Sequence, residues 1–212
     1  MAIVQNPITG RSSGALSNFV FSTRYKKNIV RSKPMTVANP RTAAQTAQRT
    51  KFASAVQFYQ LYRVVLDYHL HSFSKTMSMF NQFMSWNVNA FNPAAAGILA
   101  AQIPRLIFGK GNLDTVFKNS LAASATHGIS VAASVVPNPN IVKSSDVLCI
   151  LVYNPTAKTL NKYEQTRPNI GTVMTTSPQG VVGETVYVFA MTHDESVKKH
   201  STSVYFGSVV LI

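Results

Sequence analysis

The chain has 212 residues, 46% hydrophobic and only 13% charged, where an ordinary soluble domain has about 25% charged, so Ser, Thr, Asn and Gln must carry much of a surface suited to being covered by neighbours. One cysteine, Cys149, excludes an intrachain disulfide and any cysteine-based zinc site, and seven acids in all supply paired-carboxylate chemistry poorly. The net charge of +13 is concentrated: the first acid is Asp67, ten bases precede it (Arg11, Arg24, Lys26, Lys27, Arg31, Lys33, Arg41, Arg49, Lys51 and Arg63), and the rest of the chain balances ten bases against seven acids. An uncompensated field of this kind draws polyanions and makes their binding salt-dependent.

The first 13 residues, MAIVQNPITGRSS, lack the apolar segment of a signal peptide, and no run reaches the roughly 18 apolar residues of a membrane span. The expectation is a protein made in a cytoplasm without a signal peptide, carried in a virion if phage-encoded, with no membrane insertion. Residues 15 to 32 read as a β-hairpin, because ALSNFVFS and NIVRS flank the polar turn RYKKN. After a linker at Pro34, Asn39-Pro40 reads as an N-cap with proline at the first helical position. A helix is predicted from about 40 to 70, with Phe52, Val56, Tyr59, Leu66 and Leu70 on one stripe, and a second from about 73 to 91 on Phe73, Met77, Phe80, Met84, Val88 and Phe91. Joined near His71, the two would form an antiparallel hairpin.

From residue 103 the pattern changes to short β-rich runs: RLIFG, GISVAASVV, DVLCILVY, KTLNKYEQT, TVMTTS, ETVYVFAMT and TSVYFGSVVLI, separated by turn signals. Seven strands at this spacing predict a sandwich of immunoglobulin or fibronectin kind, without the Cys and Trp landmarks of antibody domains. The predicted fold is therefore α+β, with a basic β-hairpin and two-helix region over 1–102 and a β-sandwich over 103–212.

The segments SGALSNFVFS, NIVRSKP, NPRTAAQTAQRTKF, VLCILVYNP and SVYFGSVVLI together resemble an uncharacterised family of basic proteins of about this length, found in Bacteroidetes bacteria and their phages. NPRTAAQTAQRTKF is also similar to a Gln-rich helix start of small tailed-phage proteins. The resemblance implies the architecture above and a phage setting, and carries no catalytic residues.

Chemistry is sparse. His69 and His71 are the only close histidine pair and lack a third ligand beyond Asp67 in the same turn. No G-x-S-x-G elbow is present, GKGN at 109–112 is too short for a phosphate loop, and HDESVKKH at 193–200 reads as a solvent-exposed turn. Cys149, inside an apolar run, reads as an inert buried thiol. No catalytic, cofactor or metal residue is assigned, and no cofactor is expected. The contact residues are Arg24, Lys26, Lys27, Arg31, Lys33, Arg41, Arg49 and Lys51, with Tyr25 able to stack on a base. The leading expectation is a non-enzymatic structural protein of a phage virion or similar multi-subunit particle, a homo-oligomer that also touches other particle proteins, with nucleic acid as a possible partner. The alternatives are a sequence-independent nucleic-acid-binding protein and an adhesion or carbohydrate-binding sandwich.

Overall fold

The computed structural model describes residues 2–4, 13–24, 26–36, 39–70, 77–113, 115–124, 128–135, 147–166, 173–194 and 199–212. The chain mixes helix and sheet and divides into two compact units, Met1–Ala43 and Ala44–Ile212. The sequence-based boundary between 102 and 103 falls inside the second unit.

The first unit is a four-stranded antiparallel sheet of β1 (Ala2–Val4), β2 (Gly14–Leu16), β3 (Phe19–Arg24) and β4 (Lys27–Ser32), in the order β1-β4-β3-β2. The predicted hairpin is present as β3 and β4, but ALSNFVFS is two strands. Ser17, at φ 50°, turns the chain between β2 and β3. The β3–β4 pairing runs to Arg24 opposite Lys27, which leaves a two-residue turn in which Lys26 takes φ 65°. Tight hairpin turns demand that left-handed conformation, and it suits glycine far better than lysine.

In the second unit the first predicted helix forms two elements, α1 (Ala43–Leu61) and α2 (Arg63–Leu70), broken at Tyr62. It starts three residues later than Pro40, because Arg41 sits at φ 47°, outside right-handed helical space. The second helix is α3 (Met79–Asn87), capped by Ser78, whose hydroxyl accepts from the Asn81 N–H at 3.2 Å. Two 3₁₀ turns follow, Val88–Ala90 and Ala100–Arg105. Phe73 and the link at 71–76 lie outside the described residues. Of the predicted stripes, Val56, Tyr59, Leu66, Phe80, Met84, Val88 and Phe91 do belong to the apolar core, but the stripes are incomplete. Phe52 is 49% exposed, whereas Phe58 and Phe83, outside both predicted stripes, are buried and stack with ring centroids 5.8 Å apart.

The remaining strands are β5 (Val116–Ser124), β6 (Gly128–Val135), β7 (Val147–Asn154), β8 (Thr159–Thr166), β9 (Met174–Thr176), β10 (Thr185–Asp194), β11 (Lys199–His200) and β12 (Val204–Val210). They form antiparallel sheets, one in the order β11-β10-β7-β8 with β12 also on β10, the other β5-β6-β9. Of the predicted strands, RLIFG is the error. Its backbone is held by a side chain instead of a ladder: the Ile107 N–H donates to Asn87 Oδ1 at 2.7 Å and Asn87 Nδ2 donates to Ile107 O at 2.8 Å. Next to it, the Phe108 N–H donates to Ser203 Oγ at 3.0 Å. Strand β5 was missed because its side chains are mostly exposed and small or polar, with Val116 alone buried and a bulge between Lys118 and Ser120.

Alternation along β7 and β10 builds two cores. Cys149, Leu151, Tyr153, Phe189 and Met191 meet Phe58, Tyr59, Phe83 and Phe91 from the helical region. The opposite face, Leu148, Ile150, Val152, Val186, Val188 and Ala190, meets Val116, Ile129 and Val131 of the other sheet and Phe206 and Leu211 near the chain end. The body thus has a helical layer, a five-stranded sheet whose central strands β7 and β10 are buried on both faces, and a second sheet. That double burial is why VLCILVY is a continuous apolar run.

Asn87 is fully buried, and Asn87→Leu orphans both Ile107 backbone groups, at a cost of about 1–3 kcal/mol per group. Urea unfolding should show that loss, whereas Phe52→Ala on the exposed side of α1 should stay within about 0.5 kcal/mol. Equal midpoints for the two variants would show that the amide does not hold this segment.

Candidate contact surface

Strand periodicity decides which cations of the first unit stand together. Arg24 faces Lys27 across β3 and β4, Ser22 faces Ile29, and Val20 faces Arg31. These six therefore share one face of the sheet. The Lys33 N–H donates to Asn18 O at 2.7 Å, which continues the pairing one step and places Lys33 next in the row after Lys27, Ile29 and Arg31. Phe19, Phe21, Thr23, Asn28 and Val30 alternate onto the opposite face, where the Thr23 hydroxyl donates to Asn28 Oδ1 at 2.8 Å. One face is basic and the other apolar and uncharged.

Arg24, Lys26, Lys27, Arg31 and Lys33 are all exposed, and none of the described residues between 13 and 43 is buried. Residues 1–43 contain no aspartate or glutamate. Arg41 lies in the segment before α1, and Arg49 and Lys51 belong to α1 in the second unit. Their spacing of two turns their side chains to different sides of the helix; Arg49 borders a shallow groove with Gln45, Gln48 and Phe52, while Lys51 is half-buried. The eight cations read from the sequence are thus a shared face of four, Lys26 at the turn, and three elsewhere. Tyr25 lies outside the described residues.

The described carboxylates of the second unit are committed internally. Asp67 accepts from the Tyr59 hydroxyl and from Arg63 Nε, the latter at 3.0 Å. Glu164 pairs with Lys162 at 2.9 Å. Glu184 accepts from Asn154 Nδ2 at 2.7 Å and from the Val181 N–H at 3.0 Å. Asp194 is buried.

HDESVKKH was read as an exposed turn, and the structure corrects this for the residues it describes. β10 runs through Asp194, His193 pairs with His200 across β10 and β11, and His193, Asp194 and His200 are all buried. His193 Nε2 lies 3.6 Å from Glu164 Oε1, and the two imidazole centroids are 6.1 Å apart. No group of three or more His, Cys, Asp and Glu able to hold a metal is present among the described residues; the side chain of His69 and all of His71 lie outside them. Cys149 is fully buried, and burial first, then the charge of Glu164, pushes its thiol far above the usual range. No described helix is long and apolar enough to cross a membrane.

A cleft of about 600 Å3 is lined by Tyr59, Arg63, Asp67, Phe80 and Gln82 among others. In its wall Asp67 is already bonded to Tyr59 and Arg63. Against these features, the chain matches a family of unknown function, DUF6266, over residues 11–207. The chain belongs to DUF6266. The match covers β2, β3 and β4 of the basic sheet but not β1, together with the helices and nearly all of the β body, so the family's shared sequence reaches into both units. No curated protein and no solved structure matches this DUF6266 chain.

Burial, followed by the bond to Asp67, raises the Tyr59 hydroxyl pKa well above 10.0, and burial with the neighbouring Tyr153 does the same for Tyr62. Above pH 10 the native state therefore holds protons that the unfolded chain has lost, and stability that is complete below that pH falls as pH rises. The urea midpoint should drop between about pH 9.5 and 11, and less steeply in a Tyr59→Phe/Tyr62→Phe variant. Identical slopes would mean that these hydroxyls are not held protonated by the fold.

Proposed function

We propose that this DUF6266 protein is a non-enzymatic structural component of a multi-subunit particle, with a phage virion as the setting that the sequence resemblance favours. Its N-terminal sheet is the contact surface. The observation that carries the reading is the pairing of an acid-free unit with a sheet whose four-cation face is exposed and in which none of the described residues between 13 and 43 is buried. A sheet of this kind gains little from its own burial, and its charge has no counterpart within its unit. It is built to be completed by something else.

The body supports the same reading. Two antiparallel sheets that share an apolar cluster favour a β-sandwich of immunoglobulin or fibronectin kind, with the helices added as a third layer. Its rings are engaged in packing: Phe189 and Tyr153 face the helices, and Phe206 faces the second sheet. That weighs against an aromatic platform for sugars. The committed Asp67 and Glu164 and the buried Cys149 leave little for a catalytic role.

Sedimentation velocity of the purified full chain over a wide concentration range should give a defined oligomer, and mass spectrometry of particles made by cells carrying the gene should detect the chain at fixed stoichiometry. A protein that stays monomeric and is absent from particles would overturn the proposal.

A further inference from the structure

Resting on the reading of the N-terminal sheet as a contact surface, we infer that its basic face binds the phosphate backbone of a nucleic-acid duplex, aligned along β4. The argument begins with spacing. Positions 27, 29, 31 and 33 recur on one face, and an extended strand repeats every two residues at about 6.6 Å. Lys27 and Arg31 are thus separated by about 13 Å, and Arg31 and Lys33 by about 7 Å. That repeat is close to the separation of successive phosphates along a nucleic-acid strand. Arg24, opposite Lys27, widens the row at the turn end.

The second step is what the face omits. Binders of single strands combine cations with aromatic platforms on which bases stack. Here the described aromatics of the hairpin, Phe19 and Phe21, alternate onto the other face, and between the cations stand Val20, Ser22 and Ile29. Among the described residues, a face of cations and small or aliphatic side chains suits a backbone whose bases are already paired, and these side chains offer nothing to read sequence with.

The third step is Lys26. In a two-residue turn at φ 65°, glycine would relieve the strain and lysine does not. Lys26, exposed at the turn tip beside Arg24 and Lys27, extends the row of cations past the end of the ribbon.

The test measures binding of the full chain to a fluorescent 30-base-pair duplex, to a single strand of the same length and to polyglutamate, over a potassium chloride series. Four to five phosphate contacts predict a slope of log K against log salt of about −4 for the duplex, lower by about 2 in Lys27→Ala/Arg31→Ala. Lys26→Gly should lower it by about 1 while leaving the unfolding midpoint unchanged or raised. Lys158→Gly is the matched control, since Lys158 is an exposed turn residue at φ 52° in the second unit; its slope should equal that of the parent.

Stronger binding to the single strand, equal binding to polyglutamate, or a duplex slope untouched by the Lys27/Arg31 pair would each overturn the inference. Sedimentation of the same samples separates it from the particle role. A defined oligomer that ignores DNA sinks only this inference, and a strict monomer that binds DNA while absent from particles sinks only the structural reading.

Discussion

Burial of β7 and β10 on both faces is the constraint on which the second unit depends. A strand with Cys149, Leu151 and Tyr153 on one side and Leu148, Ile150 and Val152 on the other cannot leave either side wet. One face requires the second sheet, and the other requires the helices. The helical region is thus the lid of the β body, which is why the compact units divide at the start of α1. Close packing then passes outward to the turns. Asn154, fully buried at the end of β7, accepts from the Thr156 and Ala157 N–H groups and donates to Gln179 O and Glu184. A Cβ on Gly180 would lie 2.7 Å from Asn154 Nδ2, 2.7 Å from Leu211 Cδ1 and 2.9 Å from Glu184 Oε2, so a side chain there would displace these side-chain ends.

The same division partitions charge. Burial makes unpaired ions costly, and the described acids of the second unit are accordingly paired, bonded or buried. The first unit has no acid, and none of its described residues between 13 and 43 is buried. The reach of such a positive field is set by ionic strength.

What was legible in the sequence follows from how strongly burial writes itself into residue type. Strands β6, β7, β8, β10 and β12 are apolar or alternating runs between turn signals and were read in place. Strand β5 is an edge strand with exposed small side chains, and RLIFG is apolar but held by Asn87. In both cases the backbone partner, which sequence periodicity does not report, decided the outcome. The helix stripes were legible in Val56, Tyr59, Leu66, Phe80, Met84, Val88 and Phe91, which reach the core, but not in Phe52 and Met77, which are exposed, nor in the buried Phe58 and Phe83 that the stripes omit. The basic residues were legible as a cluster. Their partition was not, since a shared face depends on register, and register depends on a turn in which lysine occupies a position typical of glycine.

A rigid ribbon and a disordered basic tail can carry the same charge, and they differ in when ordering is paid for. In the proposed role, cations fixed at the β-strand repeat reach a regular polyanion already spaced, so less freedom is lost on contact than from a flexible tail. The cost moves to folding, where a sheet without buried described residues draws little from its own packing. Linkage then joins the two: whatever binds the ordered ribbon and not the unfolded one also stabilises it. In the proposed role, the lack of a buried residue among the described residues 13–43 and the absence of acids are one design constraint, because a partner that completes the charge would also complete the fold.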